Sequence, residues 1–142
     1  MQCWFKKNNT VEQTDGIAIR ESAIHGRGVF SNKTFKACAI VEIAPAVLLD
    51  QSERDFLQHT DLFSYYFVVS DVNNPVALGL GYTSLYNHAY RANAVYNISL
   101  KNAAIIIKAC KLIKAGEEIT LNYNGSPENA APVYFLPEKI NS

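Results

Sequence analysis

No stretch of this chain approaches the roughly 20 consecutive apolar residues that a membrane-crossing helix needs, and Met1 to Lys7 hold no apolar leader core. An intracellular, soluble protein is the expectation. An excess of charge of either sign is also missing, since thirteen Lys and Arg balance thirteen Asp and Glu. The basic footprint of a nucleic-acid binder is absent, so no direct nucleic-acid contact is expected, and there is no acidic bias to advertise a basic partner. Cysteine is sparse. Cys3, Cys38 and Cys110 are odd in number, widely spaced and outside any CxxC pattern, and they read as structural thiols of a reducing compartment. His25, His59 and His88 lack a second ligand at close spacing, so no metal is expected. Long helical periodicities, repeats and linkers are lacking too.

What remains is one domain's worth of β-type sequence. The 142 residues are 49% apolar and include eight Tyr and seven Phe, which suits a single core with aromatic-lined pockets. Alternation predicts strands at Gly16–Arg20 and Gly28–Phe30 around a turn, and a second pair at Ala39–Ala44 and Val47–Leu49 broken by Pro45. Asp50 to Glu53 has capping-box spacing and predicts a short helix ending near His59. Phe63–Ser70 reads as a strong strand with Val76–Leu78 as its partner. Ala94–Leu100 and Ala103–Ala109 read as a hairpin, and Glu118–Tyr123 as the last strand, with Glu118 and Thr120 outward and Ile119 and Leu121 inward.

Three segments carry unusual chemistry. His25-Gly26-Arg27-Gly28 places a flexible backbone between two strands, where it can approach a ligand or merely turn. Asn87-His88 puts an amide and an imidazole into apolar sequence, where they either satisfy the core or bind a polar heterocycle. Tyr123 closes a strand as a core aromatic, a rim aromatic or a catalyst. Glu117-Glu118 reads as a solvated pair at a turn. Taken singly, each segment suits an ordinary structural role, and neither a GxSxG nor a Cys–His constellation offers hydrolytic chemistry.

Taken together, these segments resemble a known family. Gly26-Arg27-Gly28-Val29-Phe30, then Ile40-Val41-Glu42, Ala77 to Gly81, Asn87-His88 with Asn93, and Gly116-Glu117-Glu118-Ile119-Thr120 ending at Tyr123 occur in the order of the SET-domain protein lysine methyltransferases. The likeness is to the minimal bacterial and viral members and covers about Gly16 to Asn124. It implies a mainly β fold of several small sheets (a β-clip), with few short helices and a knot-like C-terminal crossing. It also implies one domain over 1–142, in which 125–142 close the site.

By the same resemblance the cofactor is S-adenosyl-L-methionine, held by Gly26, Arg27, Gly28, Asn87, His88 and Tyr123, and leaving as S-adenosyl-L-homocysteine. Tyr123 and Tyr65 are the expected catalytic pair. Tyr66, Tyr82, Tyr134 and Phe135 are expected along the substrate channel, with Tyr66 the alternative to Tyr65. The partner is a protein substrate bearing the target lysine, histone-like in one version, and a homodimer is an arrangement that minimal relatives adopt. The setting would be a bacterial cytoplasm, or a host nucleus for a viral or secreted protein. The chain departs from the family at Ala89, where Ser is common, at Ala92 in place of Pro, at Asn122 in place of Asp, and at Arg27, aromatic in some small relatives. These changes motivate an alternative, a SET-fold binding or scaffold module with little turnover.

Overall fold

Ile17–Glu21 (β1) and Arg27–Ser31 (β2) flank a turn and pair antiparallel in unbroken register from Ile17↔Ser31 to Glu21↔Arg27. The computed structural model describes residues 16–133 apart from 71 and 74; Cys3, Tyr134 and Phe135 lie outside the described residues.

The next segment forms one ten-residue strand, β3 (Ile40–Leu49), rather than two strands broken at Pro45. Pro45 marks a change of partner. Before it β3 pairs with the later strand Ala104–Ala109 (β8); after it β3 pairs with Val76–Gly79 (β5). The proline has no N–H to offer a ladder, but its carbonyl accepts from the Leu80 N–H at 2.8 Å, so the strand continues through it.

Asp50 caps helix α1 (Gln51–Leu57) in a reciprocal capping box with Glu53, as the spacing predicts. The strand expected at Phe63–Ser70 is only partly formed. Thr60 accepts from the Leu62 N–H and starts a 3-10 turn at Asp61–Ser64, leaving Tyr66–Val68 as β4. Its partner β5 (Val76–Gly79) matches just three of its residues, from Tyr66↔Leu78 to Val68↔Val76. Beyond β4 the Val69 N–H still donates to the Pro75 carbonyl at 3.0 Å.

A second 3-10 turn (Thr83–Leu85) leads into the two-residue strand β6 (Asn87–His88). The predicted hairpin follows as β7 (Ala94–Ser99) and β8 (Ala104–Ala109), in register throughout. The last strand, β9 (Glu118–Leu121), is antiparallel to β2 and parallel to both β6 and β7. Three small sheets therefore share strands, β9 joining the first to the second and β3 the second to the third.

Burial of β9 overturns its expected two-faced pattern. Ile119, Thr120 and Leu121 are all buried and Glu118 is half-buried, because strands lie on more than one side of it. Val29, Val41, Ile105, Ile107, Ile113, Ile119 and Leu121 form the centre of the core, each at most 1% exposed. Each such side chain contributes roughly 1.5–3 kcal/mol of burial. The consequence for function is positional: β2, β6 and β9 meet at one place.

Candidate active site

At that meeting place the Asn87 amide is a strut. Its Nδ2 donates to the carbonyls of His25 (3.0 Å) and Arg27 (3.2 Å) and to Glu118 Oε1 (2.8 Å). The Ser22 hydroxyl donates to the same carboxylate at 2.8 Å. The turn before β2, strand β6 and strand β9 are thus joined by a single side chain. Gly28 is glycine because a Cβ there would overlap the Glu118 carboxylate and press on Asn87 Nδ2. Gly26 is glycine for its positive φ of 47°, and the space beside it is open. Arg27 is exposed.

His88 points the other way. Its Nδ1 accepts from the Tyr123 N–H at 3.1 Å, which places the proton of the neutral ring on Nε2. Partial burial pushes the imidazole below its ordinary range, so the neutral form prevails near pH 7. The ring stands edge-on to Tyr90 (4.6 Å between centroids) and tilted against Tyr123 (5.2 Å).

Tyr123 follows β9 and turns its hydroxyl inward, donating to the Tyr86 carbonyl at 2.6 Å. Burial, then the neighbouring Tyr65 and Glu118, raise its ionisation to about 12. Beside it lies a pocket of about 150 Å³ whose walls include Tyr65, Tyr66, Phe67, Tyr86, Tyr96 and Tyr123. Its remaining walls are Ser64, Val68, Thr83 and Ser84, so no lining side chain is acidic or basic. The Ser84 hydroxyl donates to the Tyr65 carbonyl at 2.7 Å and ties the two walls together.

The structure brings Gly26, Gly28, Asn87, His88 and Tyr123 to one locality, and Tyr65, Tyr66 and Tyr123 to one pocket. Tyr82 is 41% exposed and is not among the lining residues. Sequence reasoning missed Tyr96, which looks like an ordinary strand aromatic, and Tyr86, which follows the second 3-10 turn. It also missed Glu118, read as solvated. The available signal for Glu118 was the glycine at position 28, whose partner had to come from somewhere.

The departures at Ala89, Ala92 and Asn122 leave the backbone scheme standing. The Ala89 N–H donates to the Leu121 carbonyl at 3.0 Å. Ala92 is buried, and Asn93 beside it reaches across β9, donating to the Glu118 carbonyl and accepting from the Thr120 N–H, both at 2.9 Å. Asn122 donates to the carbonyls of Tyr90 (3.4 Å) and Asn129 (2.7 Å), fastening the segment after β9. Among the described residues no group of three or more His, Cys, Asp or Glu is placed to hold a metal, and no helix is long and apolar enough to cross a membrane.

Comparison with known proteins converges on this architecture. The family model described as the SET domain matches residues 26–124. A curated relative from Schizosaccharomyces pombe, named as a histone-lysine N-methyltransferase specific for H3 lysine-37, is 32% identical over 108 residues, spanning 75% of this chain and 72% of that protein. The crystal structure of a candidate histone methyltransferase from Plasmodium falciparum superposes with a TM-score of 0.63 at 32% identity, covering 78% of this chain and 95% of the other. The apo Polycomb repressive complex 2 of Chaetomium thermophilum gives a TM-score of 0.65 at 26% identity, covering 75% of this chain and 15% of that one. The matched region runs from the Gly26 turn, through the Asn87–His88 strand, to the segment after Tyr123, and by that match this chain belongs to the SET-domain family of protein-lysine N-methyltransferases.

Proposed function

We propose that the protein methylates the side-chain amine of a lysine in a histone or a similarly basic protein, with S-adenosylmethionine as methyl donor. The observation that carries this reading is the Tyr123 hydroxyl, fixed on the Tyr86 carbonyl at 2.6 Å on the wall of an aromatic pocket. The cofactor supplies a methyl group activated on a positively charged sulfur. The exposed backbone about Gly26 and Arg27, the Asn87 strut and the rings of His88, Tyr90 and Tyr123 suit such a molecule. They combine open space, polar backbone and aromatic faces that attract a cation.

The pocket's own residues account for the rest. Lysine is ordinarily protonated below pH ~10.4; removal from water in a pocket without carboxylates, beside the positive sulfur of the donor, outweighs the attraction of the rings and disfavours its charged form. The amine therefore gives up its proton to bulk water as it is desolvated, with no dedicated base. Tyr123 stays protonated at neutral pH because its ionisation lies at about 12. Its hydrogen is committed to the Tyr86 carbonyl, so its lone pairs accept from the amine and direct the nitrogen. The histone specificity for which the fission-yeast relative is named supports a histone substrate.

The test uses purified protein, isotope-labelled S-adenosylmethionine and recombinant histones with mass-spectrometric site mapping. Labelled lysine is expected, and Tyr123→Phe should lower kcat by about tenfold or more without altering the fold. Absence of cofactor binding by calorimetry overturns the choice of donor. Binding without transfer to any histone overturns the choice of substrate.

A further inference from the structure

Behind the pocket lies a carboxylate that the scheme above does not use. Glu42 is 4% exposed, and no described cation pairs with it. Simple strand alternation would not bury it, because its neighbour Val41 is already inward at 1% exposed. The register of β3 against β8 shifts between Ile40 and Glu42, and this bulge brings both residues in. A buried charge is costly unless its hydrogen bonds are well made. Here each oxygen receives one: Oε1 from the Tyr82 N–H at 2.7 Å and Oε2 from the Tyr86 hydroxyl at 2.9 Å.

Those two donors belong to the wall of the pocket. Tyr82 opens the 3-10 turn that carries Thr83 and Ser84, both lining residues. Tyr86 is 1% exposed, held at its ring end by Glu42, while its backbone carbonyl receives the Tyr123 hydroxyl. Gly81 makes room for this arrangement, since a Cβ there would overlap Glu42 Oε1. A charge-assisted bond is shorter and more directional than a neutral one, which suits an anchor better than a filler.

We propose that Glu42 is a positioning residue for methyl transfer: its carboxylate locks Tyr86 and the turn after Tyr82, and through the Tyr86 carbonyl it sets where the Tyr123 hydroxyl sits. Glu42 itself touches no reacting atom. The proposal rests on the role of Tyr123 given above.

Three variants test it, Glu42→Ala, Glu42→Gln and Tyr86→Phe, with kcat and KM measured on the methylated histone. Glu42→Ala and Tyr86→Phe should each lower kcat by about tenfold while KM stays within about twofold, because the loss is of alignment and not of binding. Combined, they should lose little more than either alone, as expected of residues acting through one contact. Glu42→Gln should recover kcat to within about threefold, since its amide oxygen accepts from Tyr82 and its amide N–H turns to the Tyr86 oxygen.

A second readout needs no turnover. The alkaline absorbance titration assigned to Tyr123, by difference from Tyr123→Phe, should move down toward the ordinary tyrosine range in Glu42→Ala and stay in place in Glu42→Gln. Should Glu42→Ala not fold, Tyr86→Phe carries both measurements. An unchanged kcat, a loss confined to KM, a Gln variant as impaired as Ala, or an unmoved Tyr123 titration overturns the proposal. A wild-type protein inactive on every histone, with the titration shifting as described, overturns the substrate reading alone.

Discussion

Tyr123 is 40% exposed as a residue, yet its hydroxyl is turned inward onto a carbonyl, and the two facts divide its behaviour. The ring edge meets solvent and the imidazole of His88; the oxygen is shielded and resists ionisation up to about 12, against an ordinary 10.0. A folded-state value raised in this way means that the fold favours the protonated hydroxyl. The associated stability is whole below pH 10 and is lost as the pH climbs from about 10 to about 12. Urea unfolding at pH 9 and at pH 11.5 should therefore show a smaller alkaline loss for Tyr123→Phe than for the wild type. At this scale Asn87, His88 and Tyr123 each suit a structural role when taken singly, and only their order along the chain, together with the Gly26 segment, marked them as candidates. Tyr86, Tyr96 and Glu42 were not legible. An aromatic within or beside a strand looks like core, and an acid on a strand looks exposed until a bulge turns it inward.

Among the elements, β9 depends most on side chains from elsewhere. Asn93 behaves toward it as a missing strand would, offering one donor to the Glu118 carbonyl and one acceptor to the Thr120 N–H. Asn93→Ala leaves both backbone groups without that partner in a region where Thr120 and Leu121 are buried, at a cost of about 1–3 kcal/mol. Chemical denaturation should show that loss as a lower midpoint with an unchanged slope. The hairpin of β7 and β8 and the capped helix were legible because their signals are local. The 3-10 turn at Asp61–Ser64 and the continuous β3 were not: a Thr60 cap turns the chain where alternation predicts strand, and a second ladder carries β3 past Pro45.

For the molecule as a whole, the site is assembled from three distant chain segments, 26–28, 87–88 and 118–123, which the pairing of β9 with β2 and β6 draws together. That is why the order of motifs was readable although no single motif was decisive. Ligand binding across such a junction should hold the segments together. S-adenosylhomocysteine at a hundredfold excess over its Kd should stabilise the protein by about 2.7 kcal/mol, seen as a higher Tm. Failure to stabilise would separate the fold from the proposed cofactor.

The strand that completes this junction is also the last of the described strands to be synthesised. Until Glu118–Leu121 leaves the ribosome, β2 and β6 have no common neighbour, and Asn87 and Asn93 lack the partners they find on β9. Contacts spanning most of the chain close slowly because the entropy of loop closure precedes their reward. Assembly of this junction is therefore a late event in the synthesis of each chain. A nascent or prematurely terminated product, however well its hairpins form, does not yet bring 26–28, 87–88 and 118–123 together.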